Sequence, residues 1–314
     1  MPNLKSRLTQ SGGFVYLYGT TPPRAGATPE AVASAAAKLH ARILDLPLDG
    51  LVIYDVQDES GRTAAERPFP YLPTIDARTY SETLTELTGL QAVTYKCVGL
   101  QNEDSWRGWL DESAALELGL ISLVGRATSR GTAPSTPVLP LARAIEMASS
   151  HPFGFTLGGV AIAERHRPDS PESVRLLRKM QAGTQFFISQ AVYSPDTSIT
   201  FLRDYARECE AAGVAPRRVV LTFTPCGREK TLAFIRWLGI AIDDRTAAAI
   251  LNATRPLAKS IDICCQALEA ILSDPVCRSL PLGVNVESVS IVKEEIDASV
   301  DLFWRLREVV DRHR

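Results

Sequence analysis

Short unbroken apolar runs alternate along this chain with longer stretches whose apolar positions recur every three to four residues. The first pattern suits strands of a parallel sheet covered on both faces, and the second suits amphipathic helices. Eight strand-like runs stand out, at 14–18, 51–54, 92–97, 120–124, 155–161, 185–188, 219–223 and 282–286. Helices are predicted between and after them at 29–44, 80–87, 106–118, 139–148, 171–181, 198–211, 229–238 and 291–310. Thr28 is a good N-cap for the first of these, and Pro171 behind Ser170 reads as the first helical position of another.

Strands separated by helices require right-handed crossovers, and eight such units are the number that closes a barrel. The expected fold is therefore α/β, a (β/α)8 TIM barrel forming a single domain over residues 1–314. Two insertions enlarge it. Residues 243–272 form extra helical sequence between units seven and eight, and 57–77 form a long polar, proline-containing loop after strand two. Loops of that length at the C-terminal face of a barrel are often functional. An open doubly wound sheet competes less well. Its phosphate turn would follow strand one, where Gly19-Thr20-Thr21-Pro22-Pro23-Arg24 matches neither a dinucleotide fingerprint nor a P-loop.

Composition narrows the partners. The 314 residues carry 34 basic and 36 acidic side chains, so no basic footprint invites nucleic acid or an anionic membrane. No run approaches the ~18–20 apolar residues that span a bilayer, and no secretory signal follows the polar start. The six cysteines form no C-x-x-C pair, and with only four histidines no metal site is expected. A cytoplasmic protein with reduced thiols is the expectation.

In a barrel the polar residues that end the strands face the active site. Here they include Tyr18, Asp55, Lys96, Arg126, Glu164 with His166, Gln190, Thr224, and Asn285 with Glu287. Acids, bases and amides on one rim suit a polar small molecule. A strand-end glutamine such as Gln190 both gives and accepts hydrogen bonds, as a planar amide-bearing ring requires. Each residue also has a plainer reading: Glu164 and His166 as a loop ion pair, Gln190 as a cap on a rim carbonyl. The Pro225-Cys226-Gly227 turn and the Ser288 to Ser290 segment sit where such barrels bind phosphate, or else hold an inert thiol and a helix cap. Arg62, Arg67, Phe69 and Tyr71 in the long loop suit a lid over a glutamate-tailed or phosphorylated ligand. They suit a surface lid or a homo-oligomer contact equally well.

The run Gly159-Val160-Ala161 followed by Glu164-Arg165-His166, the helix of Lys179 ending in Ala182-Gly183, and the Phe186 to Gln190 strand resemble the centre of methylenetetrahydrofolate reductases. Pro22-Pro23-Arg24, Thr88-Gly89-Leu90 and Leu123-Val124-Gly125-Arg126 fit the same register. The resemblance implies a barrel carrying FAD or FMN, in which hydride from NAD(P)H reduces 5,10-methylenetetrahydrofolate to 5-methyltetrahydrofolate for methionine synthesis. By position it implies that Gln190 binds the reduced folate and that Glu164, His166 and Lys179 serve the cofactor, the last two at the flavin phosphate or ribityl chain.

The departures from that family are specific. No carboxylate precedes the Pro-Pro-Arg turn, where the family keeps its acid. Arg126 replaces the aspartate that faces the flavin, Tyr95 stands for a histidine, and Ile53 for a hydroxyl residue. Arg126 would favour an anionic reduced flavin, or bind substrate from strand four. Glu287, Asp55 and Tyr18 are the candidate replacements for the acid. Two functions follow: a reductase of this type, or a folate-binding barrel that has lost or changed the reduction and acts as another one-carbon enzyme or a binding subunit.

Overall fold

In a computed structural model of the chain, residues 3–59, 63–125 and 138–313 are described. Eight parallel strands close into one barrel in chain order: β1 (Val15–Thr20), β2 (Gly50–Ile53), β3 (Ala92–Cys97), β4 (Leu120–Val124), β5 (Thr156–Ala161), β6 (Phe186–Ala191), β7 (Arg218–Phe223) and β8 (Leu282–Val286). Closure is by β8 on β1, with Val15 against Gly283 and Leu17 against Asn285. The predicted fold is the observed one.

A short helix, α1 (Leu4–Thr9), precedes the barrel, and a helical layer surrounds it. That layer comprises α2 (Pro29–Ile43), α3 (Ala77–Thr88), α4 (Glu103–Ala115), α5 (Leu141–Ser149), α6 (Glu172–Ala182), α7 (Pro195–Ala211), α8 (Glu229–Trp237) and the terminal helix. The insertion before β8 is α9 (Asp244–Leu251), α10 (Pro256–Ser273) and α11 (Pro275–Ser279), and α12 (Lys293–Arg312) ends the chain. Thr28 caps α2 as expected, accepting from Ala31 N. Pro171 is itself the N-cap of α6, one residue earlier than its sequence position suggests. Among the described residues no helix is long and apolar enough to cross a membrane.

Side chains alternate along each strand, so one set fills the barrel and the other packs beneath the helices. Val15, Leu17, Val52, Val93, Leu120, Phe186, Ile188 and Val220 form the interior cluster. Gly158 makes room for the Phe186 ring: a Cβ there would lie 2.5 Å from it. The bottom of the barrel is plugged by α1, whose Leu4 and Leu8 join that interior cluster.

Arg218, the first residue of β7 and 1% exposed, seals the same end. Its guanidinium donates to the carbonyls of Gln10, Gly12, Gly13 and Leu282. Burial, with Arg7 nearby, pulls its pKa down to about 10. Replacing it by methionine leaves these carbonyls without that donor, and a loss of about 3 kcal/mol is expected. Urea unfolding measures it, and ligand binding at the opposite end of the barrel should be unchanged.

Candidate functional site

The inward-facing positions above the hydrophobic layers belong to the C-terminal mouth. Gly19, Tyr54, Tyr95, Val160, Gln190 and Glu287 all line one cavity of about 510 Å³. The same alternation that buries Val52 and Val93 brings Tyr54 and Tyr95 inward two residues later. Its side walls are largely apolar and aromatic, from Phe69 and Leu72 of the β2–α3 loop, Phe234 and Trp237 of α8, and Val289 and Ile291 beyond β8. A polar floor under an aromatic wall is the usual composition of a small-molecule site.

Glu287 is the centre of that floor. Burial pushes its carboxyl up to about 7, and the hydrogen-bonded Tyr54 hydroxyl pulls in the other direction. Tyr54 in turn accepts a hydrogen bond from Asn285 Nδ2 at 2.9 Å. Asn285 Nδ2 also reaches Thr222 Oγ1 at 3.3 Å, which fixes the amide. The Tyr54 ring stands edge-on to Tyr95, centroids 4.9 Å apart. Burial drives both phenols well above their ordinary range, so they remain protonated donors at neutral pH. Glu287 is therefore a carboxyl that can hold or release a proton near pH 7, beside a fixed phenol.

Gln190 is positioned by an irregularity. The β6–β7 register shifts between Ile188 and Ala191. Ser189 Oγ fills the gap, accepting from Thr222 N at 2.9 Å and donating to the Gln190 carbonyl at 2.7 Å. Bulges of this kind re-aim side chains beside active sites. Gln190 Nε2 donates to the Leu238 carbonyl at 3.2 Å, while its Oε1 is buried with no donor among the described residues. That oxygen is an acceptor that a ligand N–H could satisfy.

Glu287 and Gln190, both expected from sequence, thus share one cavity. The other expected residues lie elsewhere. Tyr18 is 2% exposed, and its hydroxyl meets Ser299 of α12 at 2.6 Å. Strand alternation turns it outward between Leu17 and Gly19, so it serves the helix layer rather than the mouth. Asp55 is out of phase with Tyr54 in the same way. Its carboxylate accepts from Cys97 N at 2.8 Å and from Gln57 Nε2 at 2.7 Å, which ties the ends of β2 and β3 together.

Glu164 sits in a short 3-10 turn after β5, with its pKa raised by burial, and accepts from Ala241 N at 3.4 Å. His166 turns toward α7, where Nε2 meets Asp204 Oδ2 at 3.0 Å and the ring stands edge-on to Phe201. Lys179 donates to the Val160 carbonyl at 2.6 Å and lies 3.8 Å from buried Glu172. Burial lowers its pKa. Lys179 Nζ and His166 Nε2 are thus engaged within the protein, while His166 Nδ1 is buried with no partner among the described residues. Arg126 lies outside the described residues, as does Arg62.

The loop after β7 does not fit a phosphate cradle. Cys226 N donates to Ser260 Oγ and Gly227 N to Glu295 Oε1, so its amides are already engaged. Glu295 is fully buried and also accepts from Thr231 Oγ1 at 2.7 Å. The Cys226 thiol is pushed up to about 12 by burial, the inert reading of that cysteine. Ser290 Oγ accepts from Val292 N, so it does brace the approach to α12.

Tyr54 was the main residue missed in the sequence. It closes an apolar run and reads as core, but its separation of two from Val52 was the available signal. Trp237 and Phe234 read as an ordinary helix stripe, and only the folded loop of residues 63–76 shows that they also form a wall.

The fold and site define a (β/α)8 barrel with a ligand cavity at its C-terminal mouth. No protein-family model matches the chain, and neither does any curated protein. Among solved structures it is similar to an uncharacterised protein from Clostridium thermocellum that binds two copies of 5-methyl-5,6,7,8-tetrahydrofolic acid. The two are 30% identical with a TM-score of 0.82, over 98% of this chain and 99% of the other. The chain belongs to the same family as that protein.

Proposed function

We propose that this protein binds a reduced folate in the mouth cavity and reduces 5,10-methylenetetrahydrofolate to 5-methyltetrahydrofolate with NAD(P)H. The observation that carries the reading is the protonatable Glu287 carboxyl, held by Tyr54 on the floor of a cavity that also presents the Gln190 amide. Folate binding by the C. thermocellum relative supports the ligand class. The family resemblance in the sequence supports the reaction.

In this reading the Gln190 amide holds the polar edge of the pterin, its Oε1 accepting a ring N–H. Glu287 donates its proton to N10 as the bond from N10 to the methylene carbon breaks, leaving that carbon as an iminium on N5. NAD(P)H would supply the hydride that turns this carbon into the N5-methyl group, leaving as NAD(P)+, and solvent returns a proton to Glu287. Tyr54, itself held by Asn285, keeps the carboxyl pointed and draws its raised pKa back toward neutrality, where an acid works best. The apolar wall excludes water from the cation.

Two measurements test the proposal. Calorimetry with 5-methyltetrahydrofolate is expected to show saturable binding at one site per chain or more. NADH or NADPH absorbance at 340 nm is expected to fall only when methylenetetrahydrofolate is present. Binding without nucleotide oxidation would leave the folate-binding barrel of altered chemistry in its place. No binding of any reduced folate would remove both.

A further inference from the structure

Arg67 forms no ion pair among the described residues, with Glu59 a carboxylate that lines the same cavity. It lies in the loop between β2 and α3 and lines the same cavity as Glu287 and Gln190. Its guanidinium carbon stands 5.1 Å from the Trp237 ring centre, 5.3 Å from Phe234 and 5.5 Å from Tyr71. Nε and Nη1 are buried, with no acceptor among the described residues. Three ring faces stabilise a cation, each by about 0.5–2 kcal/mol, but they accept no in-plane hydrogen bond. Burying two guanidinium nitrogens without acceptors is costly, and such donors are usually paired in a folded protein.

The loop around it is anchored independently of that charge. Trp237 Nε1 donates to the Ala65 carbonyl at 3.0 Å, Phe69 stands edge-on to Phe234 at 5.3 Å, and Lys230 Nζ lies 4.9 Å from the Phe69 ring centre. The segment is already docked on α8 by these contacts, so holding the loop does not account for an arginine at position 67. The planar fork of a guanidinium matches a carboxylate in two parallel hydrogen bonds.

We infer that Arg67 is the anion-recognition residue of this cavity and takes a carboxylate of the ligand's glutamyl tail, with the pterin at the Glu287 and Gln190 end. The inference rests on the folate reading above and deepens it. It makes the tail, and not the pterin alone, a determinant of affinity. A phosphate of the nicotinamide nucleotide offers the same chemistry from another source.

The test compares 5-methyltetrahydrofolate with 5-methyltetrahydropteroate, which lacks the glutamyl tail, on wild type, Arg67→Gln and Arg67→Lys. Wild type is expected to bind the tailed compound about ten- to a hundredfold more tightly. Arg67→Gln should collapse that ratio to near one and leave the tail-free affinity within about twofold. Arg67→Lys, which keeps the charge and the ring contacts, should retain part of the ratio. Equal weakening of both compounds by Arg67→Gln would make the residue a brace for the loop and overturn the assignment. An unchanged ratio overturns it too, as does an effect confined to the KM for NAD(P)H, which would assign the phosphate instead. Failure of wild type to bind either pterin is a separate outcome: it removes the folate reading itself and the tail assignment with it.

Discussion

Glu287→Gln is expected to slow the reduction of methylenetetrahydrofolate by about 10²- to 10⁴-fold, the usual worth of a positioned general acid. Affinity for 5-methyltetrahydrofolate should change only a few-fold, because glutamine keeps the shape and the hydrogen bond with Tyr54. The pH profile carries the second signature. As the proposed acid, Glu287 must be protonated to act, and its pKa of about 7 is expected to place the alkaline limb of wild-type turnover near neutrality. The residual rate of the variant should lack that limb. A variant that keeps wild-type turnover, or keeps the limb, would show that another group supplies the proton.

The same residue should make the fold pH-dependent, and the sign is set by burial. The folded pKa is raised from 4.5 to about 7, so between those values the folded chain binds more protons than the unfolded one. Stability from this group is then fully present below about pH 4.5 and is lost as pH rises through 7. The loss approaches about 3 kcal/mol once the carboxylate is ionised in the cavity. Glu287→Gln removes the titration. At pH 8 the variant should therefore be the more stable protein while being the far slower catalyst. Unfolding at pH 5 and pH 8 measures the difference, and a variant less stable than wild type at pH 8 would show that the carboxylate is well solvated there.

The barrel was legible because its cause is periodic: buried strands read as apolar runs, and amphipathic helices fill the intervals between them. The candidate site was legible only in part. Glu287 is a polar residue on the inward phase of β8, two positions beyond Asn285, and Gln190 ends β6 at its register irregularity; both fall in the cavity. Tyr18 and Asp55 are polar strand ends of the opposite phase, and counting phase from Leu17 and Val52 would have separated them. His166 and Lys179 depend on something that phase does not encode. The 3-10 turn Ala163–Arg165 swings the chain after β5 toward α7, and α6 lays Lys179 against the Val160 carbonyl. Arg67 was one of several loop residues suited to a ligand. Its setting comes from packing of the β2–α3 loop on α8, between elements more than 150 residues apart in the chain.

Gly19→Val is expected to damage the site more than the fold, because what glycine provides here is space. Its backbone is on the ordinary side of φ, so no left-handed conformation is at stake. A Cβ on Gly19 would lie 2.9 Å from Tyr54 Cε2, 3.1 Å from the Tyr54 hydroxyl and 3.2 Å from Glu287 Cβ. Tyr54 cannot retreat freely, since Tyr95 stands against its ring and Asn285 holds its hydroxyl. Alanine already requires Tyr54 or Glu287 to shift, and valine adds two methyl groups in the same place. Overpacking of this kind costs about 1–3 kcal/mol, which a barrel of this size should survive. Displacing the acid by about 1 Å is worth roughly a hundredfold in rate. Turnover should therefore fall about a hundredfold while the folded protein is still recovered, with Gly19→Ala intermediate. Gly108 in α4 provides the control. No atom of the described residues lies within 4 Å of its added Cβ, so Gly108→Ala should leave turnover unchanged and stabilise the helix by up to about 1 kcal/mol. If Gly19→Val keeps full turnover, the Tyr54 and Glu287 pair is not the reacting end of the cavity, and the chemistry must be sought at another part of its lining.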